Sequence, residues 1–337
     1  CYFNLLQFLI TLSSQNNSNI TFFNKIFFFG ILASVALSSV FPFLNWMTSW
    51  LALVLGIAFA ILLDNPYEEG TGKITKQLLK ISVVGIGFGY PISAISELSN
   101  SSFYFVVIFI VLALFMGFII GKIFNVDRKI ADLITSGTSI CGASAIAAIA
   151  STIKANEKQI SVALGTVFIL SASGLIIFPI IGDYLKLTQH QFGVWAGLSI
   201  HDTASAIGAA MDFDKAFNED IAEKVATIIK LSKVIFIVPL VFLGAYLYKG
   251  GDKKFTFPYF IIFFLLAMFL NSKFPEYDGF TTIKAAGKKG LQISLFLIGT
   301  NLSIKNLKAI GIKPFLQGLL LWIMISVSSL FAILHLF

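Results

Sequence analysis

The chain has 337 residues, 57% of them hydrophobic and only 12% charged, with 36 Phe and a mean hydropathy of +0.88. Globular chains carry about 25% charged residues and lack the interior to hide this much Phe, Leu and Ile, so lipid solvates most of the chain, and disordered, collagenous and disulfide-rich classes are excluded. The net charge of +7 comes from basic residues scattered between apolar runs, which excludes a nucleic-acid face and fits the flanks of membrane spans.

Residues 1–21 read as an interfacial N-terminal segment. Within it, Cys1–Leu12 suits a surface helix rather than a signal peptide, because no basic n-region or small-residue cleavage site accompanies it. The chain opens on Cys1 without an initiator Met, so residues upstream are expected. Residues 22–337 read as a single transmembrane transporter domain. A crossing helix needs about 20 mostly apolar residues. That scale gives Phe22–Phe41, Trp46–Leu63, Gln77–Ile95, Ser102–Phe124, Ala131–Ile153 and Ile160–Ile181. Then come Phe192–Met211, Val225–Tyr248, Phe255–Leu270, Lys289–Ile304 and Pro314–Phe337. The third, ninth and tenth are short or rich in Gly and Lys. The fold class is therefore all-α and polytopic, with about 11 transmembrane helices. More of the basic residues fall on the N-terminal side, which places the N-terminus in the cytoplasm.

The fifth span carries Gly137, Thr138, Ser139, Cys141, Gly142, Ala143 and Ser144 in mid-membrane. Two Gly and several hydroxyls weaken a helix, and the freed backbone groups must face protein or a wet cavity. A helix that restarts near Gly142 points free amides at the membrane centre, which makes an anion site. The competing reading is close helix packing through small residues.

The seventh span carries His201, Asp202, Thr203 and Ser205. Asp202 is the one carboxylate well inside a confident span, and an ionisable group at that depth suggests a proton or ion relay. Alternatively Asp202 caps a half-helix by accepting from the backbone near Ser205; a cap and a relay are compatible. Lys230 and Lys233 open the eighth span one turn apart, placed either to attract an anion or to snorkel to the interface. The tenth span contributes Gly299, Thr300 and Asn301, a polar interruption expected to pair with the Gly137–Ser144 break.

Two internal echoes point to repeats. Ile81–Gly87 aligns with Ile293–Gly299, in helices expected to run in opposite directions. Ser139–Ile146 resembles Ser199–Ile207 with one insertion. Inverted repeats with broken helices at the midplane are a common transporter plan.

Gly-Thr-Ser-Ile-Cys-Gly-Ala-Ser-Ala-Ile-Ala-Ala at 137–148, His-Asp-Thr-Ala-Ser-Ala-Ile-Gly at 201–208 and Lys-Leu-Ser-Lys at 230–233 resemble motifs of the YeiH-like family of bacterial membrane proteins named for sulfate export. Lys233 stands where that family has arginine, which removes a bidentate fork for an oxyanion. The resemblance covers about Phe22 to Phe337. It implies a fold similar to the cation–proton antiporter and bile-acid transporter group: inverted five-helix repeats, a panel and a core, and two discontinuous helices crossing at the centre.

The leading expectation is a secondary active transporter of a small anion, a sulfate or sulfonate-related exporter in the bacterial inner membrane. Gly137–Ser144, Thr203, Ser205 and Gly299–Asn301 would bind the anion, Lys230 or Lys233 would supply charge, and His201 and Asp202 would couple protons or sodium. A cation–proton exchanger built on Asp202 is the alternative. An intramembrane serine hydrolase using Ser144 and His201 is less favoured, because such chemistry needs the His beside the Ser and an oxyanion hole, Ala145 follows Ser144 in place of the usual Gly, and eleven spans far exceed such an enzyme's need, so no enzyme activity is expected. With only Cys1 and Cys141 present, no disulfide framework or metal-ligand spacing exists. No metal or cofactor is expected. The expected partners are the lipid bilayer, the anion, its coupling ion and a second copy in a homodimer, with no nucleic acid.

Overall fold

A computed structural model describes residues 24–37, 47–63, 65, 67–97, 100–248, 259–302 and 310–336. The segment 1–21, with its expected surface helix, and the outer ends of the first and ninth expected spans lie outside the described residues. The described residues are all-helical. In chain order they form α1 (Asn24–Leu37), α2 (Ser49–Leu62), α3 (Glu68–Gly87), α4 (Ser93–Glu97) and α5 (Asn100–Ile123). The chain continues with α6 (Arg128–Ser139), α7 (Ala143–Thr152), α8 (Glu157–Tyr184), α9 (Gln189–Ser199) and α10 (Thr203–Asp214). It ends with α11 (Ile221–Ile235), α12 (Ile237–Leu247), α13 (Phe260–Lys273), α14 (Gly279–Thr300) and α15 (Ile312–Leu336).

Four stretches are long and apolar enough to cross a bilayer: Phe103–Ile123, Glu157–Tyr184, Ile221–Leu247 and Ile312–His335. Asn24–Leu37, Ser49–Leu62, Ala143–Thr152 and Phe260–Lys273 are shorter apolar helices. Their outer faces carry large exposed side chains, among them Phe103, Ile108, Phe115, Phe118, Phe263 and Phe331, as a lipid-solvated surface requires.

Three sharp turns use one local device. Asn125, Lys154 and Lys186 each adopt a positive φ just past a helix end. In each case the next residue's N–H reaches back to close the helix, Val126 to Gly121 O, Ala155 to Ala150 O and Leu187 to Gly182 O. This is the Schellman stop. A capping residue follows at once and starts the next helix. Asp127 accepts from Lys129 N and Ile130 N, while Asn156 and Thr188 form capping boxes with Gln159 and Gln191. Helices therefore reverse within a few residues.

Those turns frame a departure from the expected topology. The fifth and seventh expected spans, Ala131–Ile153 and Phe192–Met211, do not cross; each folds back as a hairpin. At the base of the first, Lys129 Nζ on α6 donates to Lys154 O beyond α7 at 2.7 Å. At the base of the second, the rings of Phe192 on α9 and Phe213 on α10 stack at 4.0 Å, and Gln189 Nε2 donates to Asp214 Oδ1 at 2.6 Å. The half-helices have 12, 10, 11 and 12 residues. At about 1.5 Å per residue each reaches roughly 15–18 Å, half of a hydrocarbon core about 30 Å thick. Since α8 runs from one hairpin base to the other, the two hairpins enter from opposite ends and meet tip to tip.

Around them the helices form two groups. In one, α14 packs on α2 and α3, and α13 packs on α3. Gly56 and Gly299 bring α2 and α14 into backbone contact, since a Cβ on Gly299 would lie 2.4 Å from Leu53 O. The helices α3 and α14 run antiparallel, with Gly85 against Gly287 and Ser82 against Gly290. The second group is the hairpin core: α5, α8, α11, α12 and α15 packed around α6–α7 and α9–α10. The groups join mainly where α10 and α8 touch α2 and α14.

Candidate functional site

The site grows from the two hairpin tips. In the first hairpin, α6 ends at Ser139, Ile140 takes a non-helical conformation, and Gly142 turns the chain at φ 63° and ψ −121°. Only glycine enters that region cheaply. In the second, α9 ends at Ser199, Ile200 and Asp202 are extended, and α10 restarts at Thr203. The internal echo is structural at these points: Ser139 and Ser199 end helices, Ile140 and Ile200 follow them, and Ala143 and Thr203 restart them. The one insertion in the echo falls at the second restart, because Ala143-Ser144-Ala145-Ile146 matches Ala204-Ser205-Ala206-Ile207 and leaves Thr203 unmatched.

The tips touch. A Cβ on Gly142 would sit 3.2 Å from Asp202 Cβ. Thr138 Oγ1 lies 3.5 Å from His201 Nε2, so the hydroxyl facing the imidazole comes from Thr138. The helix α8 forms a shared wall. Val167 lies against Gly137 and Gly142, and Ser171 Oγ accepts from Asp202 N at 3.1 Å. Ser199 and Ser329 share a hydrogen bond of 2.8 Å, and Trp322 meets the His201 ring edge-on.

Both lysines point inward rather than out to the interface. Lys230 is 0% and Lys233 1% exposed. Lys230 Nζ donates to His201 O at 3.0 Å and approaches Ile140 O at 3.5 Å, so one ammonium group holds both tips. Lys233 Nζ donates to Leu198 O at 2.9 Å. Leu198 O belongs to the last turn of α9, while Ile140 O and His201 O lie one and two residues past the ends of α6 and α9, beside the negative poles of the two half-helices. The positive poles, at the starts of α7 and α10, lie at the same junction. Gly142 offers α7 no side-chain cap, whereas Asp202 Oδ1 caps α10 by accepting from Ser205 N at 2.9 Å. A junction built of ammonium groups and helix N-termini attracts anions.

Of the residues singled out from sequence, Thr138, Ser139, Cys141, Gly142, His201, Asp202, Thr203, Ser205, Lys230 and Lys233 are buried at or beside this junction. Gly137 packs against Ile146 of the returning helix. Ala143 is half-buried, and Ser144 is exposed on the first turn of α7. Gly299, Thr300 and Asn301 lie elsewhere. The helix α14 runs unbroken to Thr300, whose Oγ1 accepts from Asn65 Nδ2 at 3.3 Å, and Asn301 Oδ1 accepts from Thr71 Oγ1 at 3.0 Å. The break that meets Gly142 is thus the one before Thr203, because Gly299 is committed to Gly56 on α2.

The sequence reading missed Ser171, Ser329 and Glu223. Ser171 lies in the run Ser171-Ala-Ser-Gly, whose small residues are a usable signal. Glu223 is fully buried but sits just ahead of the expected start of its span. It belongs to a charged cluster joining the two helix groups at the base of the second hairpin. Lys288 Nζ lies 2.6 Å from both Glu223 Oε2 and Asp220 Oδ1, and Lys284 Nζ lies 2.8 Å from Asp220 Oδ2. Burial pushes the Asp220 carboxyl up, but the hydrogen bonds and charges of Lys284 and Lys288 outweigh it and leave the group below its ordinary value. Nearby, Asp212 accepts from Ser49 N and Trp50 N at the start of α2, both at 3.0 Å, and burial raises its pKa.

Among the described residues no group of His, Cys, Asp and Glu could hold a metal ion. The family model described as conserved hypothetical protein 698 matches residues 22–318. A UPF0324 membrane protein of Bacteroides thetaiotaomicron is 43% identical over 290 residues, 85% of this chain and 86% of its own length. Another, from Bdellovibrio bacteriovorus, is 42% identical over 306 residues, 89% of this chain and 92% of its own length. A third, from Porphyromonas gingivalis, is 43% identical over 300 residues, 87% of this chain and 89% of its own. No solved structure matches the chain.

Proposed function

The chain belongs to the conserved hypothetical protein 698 family of UPF0324 membrane proteins, and from that premise we propose that it is a secondary active transporter of a small anion. The observation that carries this reading is Lys230, a fully buried ammonium group shared between the carbonyls of two opposed hairpin tips. A buried cation beside two helix N-termini is costly unless an anion or other counter-charge is to be received there. Asp202 is the one carboxylate at the tips, so the junction has a surplus of positive charge. That surplus weighs against the cation–proton exchanger, which would need the balance reversed.

Alternating access follows from the two helix groups. Besides the packing of α10 and α8 on α2 and α14, the hairpin core is tied to the other group at one end by polar contacts, Asp220, Glu223 and Asp212 against Lys284, Lys288 and the start of α2. Releasing those contacts lets the core move as a unit and exposes the tips to the other compartment. In this reading the hairpins, which echo each other at Ser139–Ile140 and Ser199–Ile200, are the halves of an inverted repeat. The basic bias also sharpens: Lys154 and Lys158 join the N-terminal end and Lys186 leaves it, which favours a cytoplasmic N-terminus in the inner membrane. The YeiH-like motifs make sulfate and sulfur oxyanions the first candidates.

The test is a thermal-shift screen of purified protein against sulfate, sulfite, sulfonates, carboxylates and sodium across pH, followed by uptake of any hit into proteoliposomes. A ligand of the folded state raises its apparent stability by mass action. An anion-dependent shift abolished in Lys230→Gln supports the reading. A shift with sodium alone, lost in Asp202→Asn, replaces it with the exchanger.

A further inference from the structure

We propose that the hairpin junction selects an oxyanion still carrying a proton, of the class of hydrogen phosphate, hydrogen carbonate and hydrogen sulfite, over fully ionised sulfate, and that Asp202 Oδ2 accepts the hydrogen bond from that proton. The proposal rests on the anion-transport reading of the junction and names its substrate class.

Asp202 is 5% exposed. Its Oδ1 is occupied by Ser205 N at the start of α10. Its Oδ2 is buried and has no hydrogen-bond partner among the described residues, and the same holds for Nδ1 of the adjacent His201. The α10 N-terminus therefore carries an unpaired carboxylate oxygen where a helix start alone would present only amides. The other polar groups with charge here are donors. Lys230 and Lys233 come from α11, and the first-turn amides come from α7 and α10. The remaining titratable neighbours are His201 on the same tip and Cys141 on the opposite one. From α8 comes Ser171, which is used by Asp202 N, and α15 supplies Trp322 against His201.

A single anionic acceptor among cationic and amide donors discriminates by proton count. Sulfate at neutral pH carries only lone pairs, so it satisfies the lysines and amides but faces Asp202 Oδ2 with two negative oxygens and no hydrogen between them. An oxyanion that retains a proton makes the same contacts and donates to Oδ2, turning repulsion into a charge-assisted hydrogen bond. A binding group left without its partner in a buried site is the strongest source of such selectivity. Phosphate and sulfate have nearly the same size and tetrahedral shape, so the proton is the main difference between them. Sulfite adds an internal control, because it loses its proton near neutral pH.

The experiment is calorimetric titration of the purified full chain with phosphate, hydrogen carbonate, sulfite and sulfate, at a pH below and a pH above the second ionisation of sulfite. The wild type is expected to bind at least one hydrogen-bearing anion at least about tenfold more tightly than sulfate, with sulfite binding falling as pH rises. Asp202→Asn keeps an N-cap oxygen but presents N–H to the ligand, so the preference collapses or inverts toward sulfate. Asp202→Ser, which also caps, removes the second oxygen and serves if the Asn variant fails to fold; it is expected to lose the preference without inverting it. Sulfate bound by the wild type as tightly as the hydrogen-bearing anions overturns the proposal, as does an unchanged preference in both variants, and either result leaves anion transport standing. Absence of binding by all four anions overturns the proposal, and the transport reading falls with it only if the sulfonates and carboxylates of the thermal-shift screen fail as well.

Discussion

Gly142 and Asp202 meet across the junction of the two hairpins, with the Asp202 Cβ 3.2 Å from where a Cβ on Gly142 would lie. That contact is what makes two separate re-entrant loops into one site. It sets a steric limit as well, because neither tip can gain an atom there without parting from the other.

Gly142→Ala is therefore expected to be costly for two independent reasons. Its φ of 63° with ψ −121° is a conformation that a Cβ disfavours by about 1–3 kcal/mol, and the new methyl presses on Asp202. Gly30, on α1, has nothing within 4 Å of its missing Cβ, so Gly30→Ala serves as the control. Thermal unfolding in detergent should show a clear drop for the first variant and little change for the second. Equal melting points would mean that the tips are not in contact.

Lys230→Met separates stability from function. Removing the ammonium group orphans Ile140 O and His201 O, a loss of about 1–3 kcal/mol. It also removes a charge held away from water, which returns a comparable amount. The two effects have opposite sign, so the melting point should move little. The anion-dependent rise in melting point has no such offset and should fall by at least about tenfold in apparent affinity. Lys233→Met, which frees only Leu198 O, should show the same pattern more weakly. A Lys230→Met protein that binds its anion normally would make that lysine a purely structural clamp.

How much of this was legible in the sequence varies by element. The Gly142 restart and the Asp202–Ser205 cap follow from local chemistry: a glycine in a polar break, and a carboxylate three residues before an amide it can reach. The Ser139 and Ser199 echo is a local pattern too. The hairpins were not legible, because twenty apolar residues satisfy a single crossing as well as two half-length helices folded back. What decides between them is Lys129 against Lys154 and Phe192 against Phe213, contacts that no window of hydropathy contains. The mistaken pairing of Gly142 with Gly299 has a similar origin. Gly299 is small because α2 approaches it at Gly56, and close packing and helix breaking use the same residue.

The charged cluster around Asp220 gives a pH prediction. The folded-state pKa of Asp220 lies below its ordinary 3.8 because Lys284 and Lys288 favour the carboxylate more than burial disfavours it. Below the ordinary value the unfolded chain binds the extra proton, so stability rises with pH through this window. The contribution is complete above the ordinary carboxylate range and lost as pH falls through the lowered folded value. Asp212 and Asp214 are shifted upward by burial and act with the opposite sign, removing stability as pH rises through their own values. The difference between wild type and Asp220→Asn isolates the first effect. With the Asp220 side chain 42% exposed, solvent screening limits it to about 1 kcal/mol. The gap in melting point should be present at neutral pH and close in acid; a gap that widens in acid would reverse the assigned sign.

Side-specific labelling decides the topology on which the junction depends. Lys122 and Lys158 flank the first hairpin, and Tyr184 and Lys215 flank the second; all four are exposed. If residues 131–153 and 192–211 each crossed once, the members of each pair would lie on opposite sides of the membrane. With hairpins, each pair shares a side and the two pairs lie on opposite sides, because α8 alone runs between them. Single cysteines at the four positions, in a Cys1→Ser, Cys141→Ala background, can be probed with an impermeant maleimide in sealed vesicles of known orientation. Positions 122 and 158 should label together, and 184 and 215 together under the reverse orientation. A split within either pair would turn that hairpin back into a crossing helix, carry its two half-helix ends to opposite compartments, and leave Lys230 with no pair of tips to join.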